Sequence, residues 1–224
     1  HVDQVFIGSC TNASYSDLAK AAALLRGKKA APWVSLSVAP GSRQVMDALL
    51  DNGLLKDLVD ADARVLECSC GPCVGAGQAP FSKGVSVRTS NRNFIGRGGT
   101  ADAEIYLVSP ETAAATAVAG VLTDPTTLPN ILPLADISEL NAFKVDDSLI
   151  IPPPPLGEPR MELIHGFNIA PLPQRGPLED SMRAEVGLVT GDNVTTDDII
   201  PASPEILRYV SNIPKMAEYA FCYM

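Results

Sequence analysis

Val5-Phe6-Ile7-Gly8-Ser9-Cys10-Thr11-Asn12 is a short apolar run that breaks into a glycine-led polar loop. A helical pattern follows over residues 16–26, with apolar residues at Leu18, Ala21, Ala22 and Leu25. The same alternation repeats outward from this stretch. Residues 33–38 alternate as a strand, and residues 42–50 read as a helix closed by Asn52-Gly53. Residues 54–59 form a further short helical pattern before a strand over 64–66. Strands are predicted at 85–87 and 105–108, and Pro110 opens a helix over 111–119 that Gly120 ends. Strands alternating with helices predict an α/β domain over residues 1–125: a parallel sheet with helices on both faces.

Beyond residue 125 the texture changes. Residues 126–183 hold most of the later prolines, including the run Pro152-Pro153-Pro154-Pro155, and read as an extended connector, because proline lacks the donor that a sheet ladder needs. Residues 184–189 read as a strand, Gly191-Asp192-Asn193 as a turn and residues 215–221 as a helix. Residues 184–224 are therefore expected to begin a second, β-rich domain left incomplete. The chain opens at His1 on an apolar strand pattern and stops at Met224 without a polar tail, and is read as a piece of a longer protein.

The 224 residues suffice to bury a core without disulfide or metal staples. Hydrophobic content of 46% against 19% charge excludes a disordered chain. The net charge of −9, without basic clusters, argues against a phosphate-backbone partner. The longest apolar stretch, residues 113–122, falls well short of the ~18 residues of a membrane span. No secretory signal pattern opens the chain, and a cytoplasmic setting is expected.

Five cysteines stand at positions 10, 68, 70, 73 and 222. Cys70-Gly71-Pro72-Cys73 is a C-x-x-C turn, open to three readings. A redox dithiol should open a helix, but Val74-Gly75-Ala76-Gly77 starts one poorly. Zinc wants four ligands, and the two histidines, His1 and His165, are remote in sequence. Three thiolates with no fourth suit a cubane iron–sulfur cluster with one iron left open, able to act as a Lewis acid.

Four motifs together resemble the aconitase superfamily. They are Phe6-Ile7-Gly8-Ser9-Cys10-Thr11-Asn12, Cys70-Gly71-Pro72-Cys73, Ser90-Asn91-Arg92-Asn93-Phe94-Ile95-Gly96-Arg97, and the run from Gly191 to Ala202. The resemblance implies a [4Fe–4S] hydro-lyase with Cys10, Cys70 and Cys73 as cluster ligands. It implies Arg92 and Arg97 as substrate-carboxylate ligands, a role suited to the guanidinium fork, and Arg208 as a further substrate arginine on a looser match. Asn12 and Asn91 read either as donors to the cluster's surroundings or as loop-bracing amides. Asp197 matches an active-site aspartate of the family's swivelling domain, and Asp198 departs from the commoner histidine. Cys68 and Cys222 match no ligand and are expected to be packed free thiols, Cys68 pointing into the core.

The leading reading is an aconitate hydratase-like enzyme interconverting citrate and isocitrate through cis-aconitate, favoured because one chain carries both regions. The runner-up is a homoaconitase or 3-isopropylmalate dehydratase-type isomerase. A zinc or dithiol protein and a nucleic-acid-binding module without a cluster are the readings from other classes. The family's acid–base groups match no position here, so this chain alone is expected to have little activity, and its partners are the small di- or tricarboxylate substrate and the remaining domains. Cys10, Cys70 and Cys73 are expected to meet at the carboxyl end of the sheet, close enough to share a cluster.

Overall fold

The computed structural model describes residues 1–128, 137, 139–156, 162 and 164–224. Its contacts divide the chain into two units, His1–Ile150 and Ile151–Met224.

The first unit is built on strands β1 (Gln4–Gly8), β2 (Ser35–Ala39), β3 (Arg64–Val65), β4 (Val85–Arg88) and β5 (Glu104–Leu107). They pair in parallel in the order β3-β2-β1-β4-β5. The chain moves outward from β1 through β2 to β3, then returns to the other side of β1 as β4. Strand order therefore reverses between β1 and β4, which makes a crevice at the carboxyl ends of these two strands.

Four helices follow the strands: α1 (Tyr15–Leu25), α2 (Arg43–Asp51), α3 (Leu54–Asp60) and α4 (Pro110–Ala119). Three of the four starts have a side-chain cap. Ser14 and Asp17 form a capping box on α1, and the hydroxyls of Ser42 and Ser109 cap α2 and α4. Gly120, at φ 71°, ends α4 in the left-handed conformation that glycine adopts without strain.

The parallel α/β class is as the sequence predicts, but among the described residues the helices cover one face of the sheet. α1 packs against α2, α3 and α4, so the four helices make a single layer. Register explains the choice of face. Val5 pairs with Leu36 and Val87, and Ile7 with Val38, so these side chains project together. They join Leu18, Ala22, Leu25, Leu49, Leu58, Ala113 and Ala117 in one buried core. The alternate residues, Gln4, Phe6, Ser37, Ser86 and Arg88, are also buried, yet all except Phe6 are polar. That face is covered by the two connections without α-helix, residues 66–84 and 89–103, whose regular structure is one 3-10 turn at Pro72–Val74.

The second unit contains α5 (Thr196–Ile199), α6 (Pro204–Leu207) and α7 (Ile213–Ala217). Ile206 is buried, the Tyr209 and Tyr219 rings stack at 6.2 Å, and the Phe221 N–H donates to the Ile199 carbonyl at 2.7 Å. The expected strand at 184–189 does not form: the segment is exposed and has no neighbouring strand to complete a ladder. No β-structure is present among the described residues of this unit. Pro152 to Pro155 are exposed and outside any helix or strand. The parts of the expected connector at 129–136, 138, 157–161 and 163 lie outside the described residues. No helix among the described residues is long and apolar enough to cross a membrane.

Candidate functional site

Three loops leave the carboxyl ends of strands in the one parallel sheet. Cys10 follows β1, Cys70 and Cys73 follow β3, and Arg92 and Arg97 follow β4. Parallel pairing puts all of them at one edge, beside the reversal of strand order.

The Cys10 loop is braced across that reversal to β4. The Gly8 N–H donates to Thr89 Oγ1 at 2.9 Å, and Asn12 Nδ2 donates to the Thr89 carbonyl at 2.6 Å. Asn12 is thus a loop-bracing amide. Ser9 holds φ 140°, a conformation that a non-glycine residue keeps only when its surroundings fix it. They do so here: Ser9 Oγ accepts the N–H groups of Thr11 at 3.2 Å and Asn12 at 2.9 Å. Gly8 is required by space, since a Cβ there would stand 2.4 Å from the Phe6 ring. This framework leaves Cys10 exposed at the loop tip.

The second and third loops press backbone to backbone. A Cβ on Gly75 would lie 2.1 Å from the Gly98 carbonyl oxygen, and Gly75 itself sits at φ 86°. This approach brings the Arg97 loop to the loop of the half-buried Cys73, close enough for the Arg97 charge to act on that thiol. Burial pushes the Cys73 thiol up, the neighbouring Cys70 and Cys10 push the same way, and the Arg97 and Arg88 charges oppose them. Arg97 stacks its guanidinium 5.7 Å from the Phe94 ring centroid, while its Nε and Nη1 are buried without a hydrogen-bond partner. Buried donors left unsatisfied cost roughly 1–3 kcal/mol, more for a charged group, so these two point to an acceptor yet to be supplied. Arg92 and Asn91 are exposed on the same loop.

Sequence reasoning missed Arg88. This β4 residue is only 1% exposed and has no acidic residue among its hydrogen-bond partners. Nε donates to Ser86 Oγ at 3.0 Å, Nη1 to the Pro72 carbonyl at 3.2 Å, and Nη2 to Gln4 Oε1 at 2.9 Å and the Gln78 carbonyl at 2.6 Å. Burial pulls its pKa down to about 10, against the opposing influence of Cys73. A signal was present in Val85-Ser86-Val87-Arg88, whose alternation puts Arg88 on the face of Ser86, opposite the apolar core.

Two expectations about the cysteines need correction. Cys68 and Cys222 are exposed, neither packed into a core. β3 ends at Val65, so strand alternation no longer governs the direction of Cys68. The three candidate ligands share an edge and an electrostatic environment, but no three His, Cys, Asp or Glu side chains among the described residues are gathered into a metal-binding group. Each loop is tied to a different partner, the Cys10 loop to Thr89 and the C-x-x-C loop to Arg88, and thiols alone have no attraction to draw them together. In chemistry and placement the donors still fit an iron–sulfur cluster: three thiols at one edge, two arginine charges opposing the burial of Cys73, and unsatisfied Arg97 donors alongside.

In the second unit, Asp197 Oδ1 accepts the Ala202 N–H at 3.1 Å, and Asp198 closes a capping box on α5 by accepting from Thr195 N at 2.7 Å and Oγ1 at 2.8 Å. Arg208 is exposed, with its guanidinium 4.8 Å from the Tyr209 ring centroid.

Residues 1–120 match the family described as aconitase family (aconitate hydratase). Among similar proteins, the homoaconitase large subunit of Thermus thermophilus is 54% identical over 125 residues, 55% of this chain and 30% of the relative. The 3-isopropylmalate dehydratase large subunit 1 of Archaeoglobus fulgidus is 53% identical over 125 residues, with the same coverage of 55% and 30%. The 3-isopropylmalate dehydratase large subunit of Clostridium botulinum (strain Alaska E43 / Type E3) is 45% identical over 126 residues, 56% of this chain and 30% of the relative. The match spans about 30% of the length of these relatives.

Proposed function

This chain belongs to the aconitase family, and from that premise we propose that it is the cluster-ligating and carboxylate-binding part of a hydro-lyase of the homoaconitase or 3-isopropylmalate dehydratase type. The expected citrate–isocitrate substrate gives way to this runner-up, because the similar relatives carry those two names. Presence of both regions on one chain is the weaker argument, since it concerns how domains are joined and not what the site binds. The substrate class is a hydroxylated di- or tricarboxylic acid, dehydrated to an alkene and rehydrated at the neighbouring carbon.

Cys10, Cys70 and Cys73 would hold a [4Fe–4S] cluster. When bound, it supplies an iron without a protein thiolate, a Lewis acid toward a substrate hydroxyl. Arg97 offers two buried, unpartnered donors to a substrate carboxylate, and Arg92 offers a second guanidinium from the same loop. Arg208 is proposed as a further carboxylate ligand, and residues 184–224 as the start of the swivelling domain. The Ser9 and Thr89 framework orients the Cys10 loop by keeping it on the β1–β4 crevice. No residue here is assigned the role of general acid or base. That chemistry is placed in the remaining domains or in a small-subunit partner of the kind that the relatives' name "large subunit" calls for. Five free cysteines accord with a reducing, cytoplasmic compartment.

The observation that carries this reading is the charged Arg97 guanidinium, with Nε and Nη1 buried and without acceptors, on the loop whose charge acts on Cys73 at the carboxyl edge of the sheet. The test is anaerobic reconstitution of the full chain, with any partner that copurifies, using ferrous iron and sulfide. Iron, sulfide and visible absorbance are measured first, then alkene formation from 3-isopropylmalate, homoisocitrate and isocitrate. Cluster uptake with turnover of either of the first two supports the reading. Stoichiometric zinc, or a reversible dithiol without iron, would overturn it.

A further inference from the structure

Arg88 is a positive charge in the wrong place for an ordinary arginine. A guanidinium this deeply buried is normally matched by a carboxylate, because an uncompensated charge in a low-dielectric interior is costly. Its four hydrogen bonds instead go to neutral acceptors. Two of these, the Pro72 and Gln78 carbonyls, bracket Cys73 within a single loop. The other two, Ser86 Oγ and Gln4 Oε1, belong to β4 and β1, and Ser86 Oγ also donates to Gln4 Oε1 at 2.7 Å. The guanidinium therefore ties the cysteine loop to the sheet, and its charge reaches the Cys73 thiol.

We propose that Arg88 is the positioning residue of the C-x-x-C pair, and that its fixed positive charge offsets the negative charge of a thiolate-held cluster. The charge half of this inference rests on the cluster site proposed above, whereas the loop-holding half stands on the hydrogen bonds alone. Thiolate ligands bring negative charge to the edge of the sheet, and Arg88 meets it from beneath. A buried neutral side chain could satisfy the same carbonyls only in part, and would leave that charge uncompensated.

The test compares Arg88→Gln, which retains polar reach and loses the charge, with Arg88→Lys, which retains the charge and loses the planar fork. Both are made in the full chain with any copurifying partner, and three properties are read. The first is the alkylation rate of Cys73 in iron-free protein, followed by peptide mass spectrometry. Both variants should label faster than the parent. The second is retention of cluster absorbance against an iron chelator, which Arg88→Gln should lose on the order of 10- to 100-fold faster, the range typical of groups that orient metal ligands. The third is the midpoint potential, which should fall in Arg88→Gln and stay near the parent value in Arg88→Lys, because removing a positive charge favours the oxidised, less negative cluster. Equal loss of thermal stability in both variants, with labelling, retention and potential unchanged, would make Arg88 merely structural and overturn the inference. If the parent protein takes up no cluster, the proposed function fails, and parental labelling of Cys73 in both variants would then refute the loop-holding role as well. If Arg88→Gln does not fold, Arg88→Lys carries the test: parental labelling overturns the inference, and faster labelling at parental potential supports it.

Discussion

Replacing Gly75 with alanine tests the contact that sets the arginine loop against the cysteine loop. Two separable penalties act at this position. An L-residue at φ 86° is strained by roughly 1–2 kcal/mol. The added Cβ would also meet Gly98 O at 2.1 Å, Gly98 C at 2.6 Å and Gly99 Cα at 2.8 Å, all backbone atoms that no rotamer change can move aside. Overpacking of this kind costs typically about 1–3 kcal/mol, for a total of about 2–5 kcal/mol. Gly77 supplies the control. It has φ 70° with nothing within 4 Å of its Cβ direction, so Gly77→Ala meets the backbone strain alone, roughly 1–2 kcal/mol. The difference between the variants isolates the loop–loop contact at about 1–3 kcal/mol. Denaturant unfolding of both variants, with Cys73 alkylation measured in parallel, reads that difference as lost stability or as local opening of the loop. If Gly75→Ala matches Gly77→Ala in both measurements, the two loops are not in the close contact described, and the placement of Arg97 beside Cys73 falls with it.

Cys70→Ser should abolish the visible absorbance of reconstituted protein, and Cys68→Ser should leave it intact; loss in both would reassign the ligand set. Leu58→Ala removes a fully buried side chain from the layer where α3 meets α1, and should lower stability by about 2–5 kcal/mol in thermal or denaturant unfolding. At Glu139, burial would raise the carboxyl, but hydrogen bonds from Ser14 and Ser16 and the charge of Lys20 outweigh it and hold the group below its usual 4.5. A depressed carboxyl stabilises the fold above that value and loses its contribution as pH falls through the folded-state pKa. Glu139→Gln should therefore flatten the acid limb of the stability curve, by well under about 1 kcal/mol because the pair is exposed to solvent.

The strands and helices of the first unit were legible because their apolar spacing is regular and three of the four helices have a capping side chain at their start. The common edge of Cys10, Cys70, Cys73 and Arg97 was legible for a topological reason, since each follows a strand and parallel strands end together. The one-sided helix layer could have been read and was not. A sheet covered by helices on both faces gives near-continuous apolar strands, whereas Ser35-Leu36-Ser37-Val38 and Val85-Ser86-Val87-Arg88 alternate. Stopping the fourth strand at Val87 hid Arg88, and extending the third to Leu66 misdirected Cys68. The segment at 184–189 has strand composition but no partner, and composition cannot supply one.

Roofing a parallel sheet with loops has a consequence that links the fold to the site. A helix satisfies its own backbone, but a loop laid on a buried surface brings carbonyls that need donors from elsewhere. The inward face of the sheet provides them. Arg88 serves Pro72 and Gln78, and Gln4 Nε2 approaches the Gln78 carbonyl at 3.3 Å, while Thr100 Oγ1, from the other loop, donates to the Pro80 carbonyl at 2.6 Å. In return the loops approach more closely than a helix about 10 Å across could, and the glycines at 75, 98 and 99 have no Cβ to hold them apart. Thiols and guanidinium groups on such loops stand against the strand ends themselves, over polar residues fixed by the sheet. That is the rigid support a charged site needs if its groups are to be held in place before substrate arrives.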